Sequence, residues 1–229
     1  IISDNTVTYQ GGGIYCDYCN TTMDSMDVIN NSAQNAGGGI YLYESSSELN
    51  DINITSNSTD GMGGGIVIHT ANPLLNNLFI MNNIAAAEGG GIAIRDNSFP
   101  EINSSIIFYN SALDDGGGIY VWNGSNPVLM NVTINKNLST GIWGSGGGIS
   151  CDVSSNLILV NVTISENSAE EYGDGISVWN GSTISLVSCI MWNNSSEEIY
   201  IQEGEVNATY SDIQGGWEGA GNINADPLF

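Results

Sequence analysis

Three side chains stand out as candidate bases: His69, Arg95 and Lys136, the last two being the only cationic residues against 25 Asp and Glu. A histidine beside an arginine and a carboxylate can move protons. His69 and Arg95, with Asp17 or Asp96, are therefore the alternative for such a site. A lone histidine and a lone arginine in so acidic a chain read more simply as surface residues, and no catalytic residue is assigned. Lys136 sits between Asn135 and Asn137 in turn-like sequence, away from the other two. Paired carboxylates occur at Asp114-Asp115 and Glu170-Glu171. Glycosidases hold two carboxyls about 5–9.5 Å apart across a bond, whereas each of these pairs is adjacent in sequence and stands just ahead of a glycine cluster. They read as turn carboxylates.

Metal chemistry is thin as well. Cys16 and Cys19 form one CxxC, and the second pair of ligands that zinc needs is missing. With Cys151 and Cys189 they read as buried thiols, a Cys16–Cys19 bridge being the alternative. There is no EF-hand loop and no GGxGxDxUx repeat, so no metal site is assigned and no cofactor is expected. Calcium is the one ion to consider, because a net charge of −23 attracts divalent cations and turn Asp and Asn oxygens suit it. The same charge opposes nucleic acid and anionic lipid. No apolar run approaches the ~20 residues of a membrane span.

A repeat carries all of these residues. Gly-Gly-Gly-Ile begins at Gly11, Gly37, Gly63, Gly89, Gly116 and Gly146, and Gly-Asp-Gly-Ile begins at Gly173, in steps of 26, 26, 26, 27, 30 and 27 residues. Apolar residues alternate over short runs separated by Asn, Gly, Ser and Asp, which is strand and turn chemistry. Aligned units give aliphatic columns: Ile14 to Ile176, Cys16 to Val178, Met23 to Leu186 and Val28 to Met191. An unbroken column reads Asn31, Asn57, Asn83, Asn110, Asn137, Asn167 and Asn194. Parallel coils would stack like residues at the strand spacing of ~4.8 Å, with the Asn amides bonded along the stack. The expected fold is all-β: a single right-handed parallel β-helix of about eight coils, roughly 26 residues each, with an interior Asn ladder. Residues 1–10 form a partial first coil, 11–198 seven regular coils and 199–229 a terminal coil and tail.

The columns also place the chemistry. Asp17, Tyr43, His69, Arg95, Trp122, Asp152 and Trp179 share one outward column, so His69 and Arg95 are neighbours one coil apart. Tyr15, Tyr41, Tyr120 and Tyr200 share another. Val-Trp-Asn-Gly-Ser occurs at 121–125 and again at 178–182, putting Trp122 and Trp179 roughly 10 Å apart. Exposed rings on a rigid sheet make binding platforms, and ligand contact is assigned to Tyr41, Tyr43, Trp122 and Trp179, with a polysaccharide or glycan as the partner. Packing of the rings on one another is the competing account.

Gly-Gly-Gly-Ile followed by Ile-x-x-Asn, as in Ile134 to Asn137, resembles the repeats of polymorphic outer-membrane-type surface proteins. More broadly it is similar to right-handed parallel β-helices of the pectate-lyase-like superfamily. The segment Gly221-Asn222-Ile223-Asn224-Ala225-Asp226-Pro227-Leu228-Phe229 resembles one found at the end of such helices in secreted bacterial proteins. Lyases of that superfamily imply calcium or acidic clusters with a Lys or Arg base. The scaffold itself also carries hydrolases, adhesins and inert stalks. The expected function is an extracellular or cell-surface β-helix with a structural or adhesive role, the alternative being a polysaccharide lyase or glycoside hydrolase using the same face. Thirteen Asn-x-Ser/Thr sequons occur, Asn53, Asn131 and Asn161 among them, while Asn57, Asn137 and Asn194 belong to the ladder. Ile2 and Asn5 fall in register with Val28 and Asn31, so the chain opens within a coil. A longer natural protein, or end-to-end association into filaments, is the expectation from that opening.

Overall fold

The computed structural model describes residues 1–228. Every strand pairing is parallel and joins equivalent positions of successive repeats. One coil shows the plan: Ile66–His69, then Leu74–Asn76, Phe79–Met81 and Ile84–Ala85. The first of these belongs to an eight-stranded sheet that runs from Ile14–Asp17 to Ile199–Gln202. The second and third belong to a fifteen-stranded sheet, and the fourth to a seven-stranded sheet of two-residue strands. The fifteen-stranded sheet holds two strands of most coils because Thr22–Ile29 and Glu48–Thr55 stay continuous across the positive-φ bend, at Ser25 and Asp51, that divides later coils into two strands. No helix occurs among the described residues.

The core is what the alternation predicts. Ile40, Ile66, Ile92, Ile119, Ile149 and Ile176 are fully buried, as are Leu49, Leu75, Ile102, Leu129, Leu159 and Leu186. Columns in register at the strand spacing fill a narrow interior with aliphatic methyls, each removed from water on all sides. The columns extend past the last regular repeat, with Ala208 beside Leu186 and Ile213 beside Met191.

Each ladder asparagine closes a turn that its neighbours cannot close alone. Asn83 donates from its backbone N to Asn110 Oδ1 at 3.0 Å and from Nδ2 to the same oxygen at 2.9 Å. Its Nδ2 also reaches Ile54 O at 2.8 Å, while its Oδ1 accepts from Asn57 N and Nδ2. Both donors and the acceptor of the amide are used, so a buried polar side chain is retained without an orphaned atom. The residue just before each ladder position, Asn30, Ser56, Asn82, Tyr109, Lys136, Glu166 or Asn193, has positive φ. The ladder therefore secures the exit from a left-handed turn. At its end Glu198 takes the place of an asparagine, accepting from Asn194 N and Nδ2.

The glycine triplets answer two demands. The first glycine of each triplet has φ between +63° and +69°, which costs a residue with a Cβ. The second is held against the next coil: a Cβ on Gly90 would stand 2.4 Å from Gly117 O. Asp174 replaces that second glycine where the seven-stranded sheet has ended. Its carboxylate, 2% exposed, accepts from Ala169 N, Ser196 N, Ser196 Oγ and Glu197 N at 2.7–2.9 Å. Side-chain oxygens there do what the next coil's backbone does elsewhere.

Candidate functional site

The outer face of the eight-stranded sheet brings His69 and Arg95 into direct register, as the columns require. The acid between them is Asp96, not Asp17, which lies two coils away beyond Tyr43. Asp96 Oδ2 lies 2.6 Å from Arg95 Nε and 3.1 Å from His69 Nε2, and its Oδ1 accepts from Asn123 Nδ2 at 2.7 Å. His69 Nδ1 stands 2.7 Å from Tyr41 Oη. A carboxylate only accepts, so Nε2 carries the imidazole proton and Nδ1 accepts a hydrogen bond from Tyr41 Oη. Burial and the Arg95 charge hold His69 below its ordinary pKa, against the pull of Asp96 and Glu44. Burial would raise Asp96, but hydrogen bonds from Asn123 and Arg95 and the Arg95 charge bring it below the usual carboxylate range. The imidazole is neutral at pH 7 and both of its nitrogens are engaged. Its Nδ1 lone pair faces the Tyr41 hydroxyl rather than open solvent.

Arg95 is also spoken for. Its guanidinium lies 5.2 Å from the Trp122 ring centroid and Nη1 contacts Met62 Sδ at 3.2 Å. Lys136 belongs to a different edge, 3.5 Å from Glu166 and over the Tyr109 ring. The three candidate bases thus occupy two separate places, and each is held by a local contact.

The aromatic residues divide into a covered set and an accessible set. Tyr41 is 3% exposed and Tyr120 is 6% exposed, contrary to the expected outward platform. The reason lies in the corner ahead of the glycines. Ala36 and Met62 fold over the sheet there and, with Tyr41, Val67 and Ala93, make a second small apolar cluster outside the main core. Tyr41 therefore offers its hydroxyl to His69 and no ring face to a ligand. Tyr43 packs on His69 at 4.9 Å and on Tyr18 at 5.9 Å. Trp179 lies two coils beyond Trp122 in the same column, as expected, and meets Tyr200 at 5.1 Å and Tyr172 at 6.0 Å. Mutual packing thus operates in both groups, with Trp122 and Trp179 still partly exposed.

Carboxylates crowd the corner as well. Burial pushes Asp115 up to about 7, with Glu88, Asp152 and Asp114 adding to the effect and a bond from Ser145 N opposing it. Glu88 is raised for the same first reason. Neither the raised carboxyls nor the lid over Tyr41 is visible in strand alternation, because both depend on where the irregular corner lies. Among the described residues no three His, Cys, Asp or Glu side chains converge as metal ligands. A cleft of about 390 Å³ opens at the other end of the coil stack, lined by Glu198, Ile213 and Trp217 among others. It holds the ladder's terminus.

Cys16 and Cys19 correct the expectation of free thiols, for they are joined as a disulfide. The turn at Tyr18, with φ +50°, brings their Cα atoms to 5.7 Å, inside the span a bridge requires. The column alignment had placed Cys16 inward but said nothing of Cys19. Cys151 and Cys189 are buried free thiols, as read from their columns, and burial raises Cys151 to about 12. One structural column had escaped the sequence reading altogether. Ser98, Ser125, Ser155 and Ser182 form a hydroxyl ladder, each Oγ accepting a backbone N–H from the preceding coil at 3.0–3.3 Å. Spacings of 27, 30 and 27 residues would have revealed it.

Parallel coils in register, a buried asparagine ladder and an outer sheet face bearing aromatics define a β-solenoid repeat protein. A family model for the right-handed β-helix region matches residues 1–158, and the chain belongs to that family. No curated protein and no solved structure matches it.

Proposed function

We propose that the protein is a non-enzymatic, extracellular β-helix of a cell surface or matrix, with a structural or adhesive role and glycan contact at Tyr43, Trp122 and Trp179. One observation carries the reading: His69, the best placed base, is neutral and bonded at both nitrogens. The Cys16–Cys19 disulfide supports an oxidising compartment. Exposed sequon residues Asn53, Asn131 and Asn161 are available to glycosylation if the source adds glycans. Calcium would act here by relieving repulsion between carboxylates rather than by chemistry.

The test is a panel of acidic and neutral polysaccharides assayed for turnover and for binding. Binding without turnover, weakened in Trp122→Ala with Trp179→Ala, is the expected result. Turnover that vanishes in His69→Ala or Arg95→Ala overturns it. A second reading rests on Asp115, whose carboxyl is held near 7 beside Asp152. A carboxyl raised towards 7 is what the general acid of a glycoside hydrolase requires. Turnover lost in Asp115→Asn would establish that reading instead.

A further inference from the structure

The pentapeptide Val-Trp-Asn-Gly-Ser is repeated, and its two copies have different neighbours. In the first, Trp122 lies one coil from Arg95 in direct register, and the guanidinium covers its ring at 5.2 Å. Asp96 binds that guanidinium, and Asn123 Nδ2 steadies Asp96 at 2.7 Å. In the second, Trp179 stands in the same column, and the neighbour one coil earlier is Asp152. Asn180 Nδ2 donates to Asp152 Oδ1 at 2.7 Å, but this carboxylate stands in the column of Arg95, and Val153 takes the place that Asp96 has in the first copy. Tryptophan, asparagine and carboxylate recur. The guanidinium does not.

Asp152 is too short to cover the indole as Arg95 covers Trp122, and it reverses the charge. The ring contacts of Trp179 come from Tyr172 and Tyr200, on its own and the following coil. Asp152 accepts from Asn180 Nδ2 and from Val153 N, both at Oδ1, so Oδ2 is available. Lys136, the only other cation, is engaged with Glu166 at another edge. We propose that the Trp179 face, bounded by Asp152, Tyr172 and Tyr200, is a docking site for an arginine side chain of a partner protein.

Arginine fits better than lysine for three reasons. A planar guanidinium stacks on an indole, sheds water more readily than an ammonium and pairs with a carboxylate in a fork. The chain's own Arg95–Asp96–Trp122 contact shows that this sheet face seats that group. A net charge of −23 draws basic segments towards it. The proposal does not depend on glycan binding or on the absence of catalysis.

The experiment titrates the full chain with a capped Gly-Arg-Gly-Arg-Gly peptide at low salt, and with the same peptide carrying citrulline, which is close in shape and uncharged. The readouts are affinity by calorimetry and the indole N–H resonances by NMR. The arginine peptide should move the Trp179 resonance and bind roughly tenfold more tightly than the citrulline peptide. Trp179→Leu should weaken binding about tenfold with the carboxylates left in place. Asp152→Arg, which puts a guanidinium in the column position that Arg95 has beside Trp122, should block the site as fully as Trp179→Leu does. Asp152→Asn, the gentler change, should weaken binding several-fold, and Trp192→Leu, on a different sheet, should leave it unchanged. Equal affinity for the two peptides, or undiminished binding in Trp179→Leu, overturns the proposal, since attraction would then be diffuse. A cationic glucosamine oligomer that moves the Trp179 resonance when the peptide does not would also overturn it, in favour of an amino sugar.

Discussion

Asp115 is where a single residue should be felt in solution. Its carboxyl is raised by burial to about 7, so the folded state holds a proton that the unfolded chain has released. Its stabilising contribution is then complete below the ordinary carboxyl range and is lost as pH rises towards 7. The slope from one such group is at most about 1.4 kcal/mol per pH unit. Asp115→Asn should flatten the fall of melting temperature between pH 4 and pH 7, and parallel curves for the two chains would refute the assignment. Asp96 and Asp174 work the other way, since both are lowered. Their contribution is present above the ordinary carboxyl range and disappears in acid below it. At this scale the sequence was informative about neighbours and silent about covers. Register alone paired His69 with Arg95, because identical spacing fixes which residues stack. It could not reveal that Tyr41 would be roofed over, since the roof comes from irregular corner residues such as Met62. A second residue prediction follows from that roof. Tyr41→Phe removes the only donor to His69 Nδ1 and should cost about 1–3 kcal/mol in urea unfolding.

Turns and ladders, rather than strands, distinguish one coil from the next. The middle glycine of a triplet is pressed against the following coil, and at Gly90 an added Cβ meets the backbone at 2.4 Å from Gly117 O and 2.5 Å from Ser111 C. Neither contact can yield without parting two coils. Gly90→Ala should therefore destabilise the whole stack by several kcal/mol. Asp174→Gly, which restores the consensus, should also destabilise, because it deletes the acceptor for Ala169, Ser196 and Glu197. Its effect should be local. Hydrogen exchange should show lost protection near residues 168–198 and none near Gly90, whereas a gain in protection would mean that the consensus glycine was preferred. The ladder offers a third case. Asn83→Ala removes the acceptor of Asn57 N and of one Asn57 Nδ2 hydrogen, the other staying on Val28 O, and takes the Nδ2 donor from Ile54 O. The substitution should cost on the order of 3 kcal/mol. These elements were legible because a repeat displays each constraint seven times. The serine ladder and the terminal substitutions at Asp174 and Glu198 were less so, since they begin or end inside the array and break the pattern that marks the rest.

At the scale of the whole molecule, the tail after residue 214 lies against the last described strands of the sheets. The final coil of Ile199–Gln202, Glu205–Thr209 and Asp212–Ile213 would present free backbone groups and the ends of the aliphatic columns. An edge of that kind invites another strand. The tail covers part of it. Ile223 N donates to Ser211 O at 2.9 Å, Ile213 N to Ile223 O at 3.1 Å and Tyr210 N to Ala220 O at 2.8 Å. Asn222 adds two side-chain bonds, from Nδ2 to Ala208 O and from Ser211 N to Oδ1, while Trp217 packs against the core. A chain shortened to end at Gln214 loses all of these contacts, and its last coil can then pair only with solvent or with another copy. The strands at the opposite ends of the sheets, Ile2–Ser3, Thr6–Val7 and Ile14–Asp17, run in the direction such a copy would need. Head-to-tail pairing does not close on itself and grows. The shortened chain should therefore form larger species as concentration rises, while the longer one should not. Salt, and calcium more strongly at equal ionic strength, should promote this growth by screening the repulsion between two highly acidic bodies. Sedimentation velocity of both chains, with and without calcium, decides the matter. Identical monomeric profiles would mean that the tail is an appendage to the last coil and that charge alone keeps the copies apart.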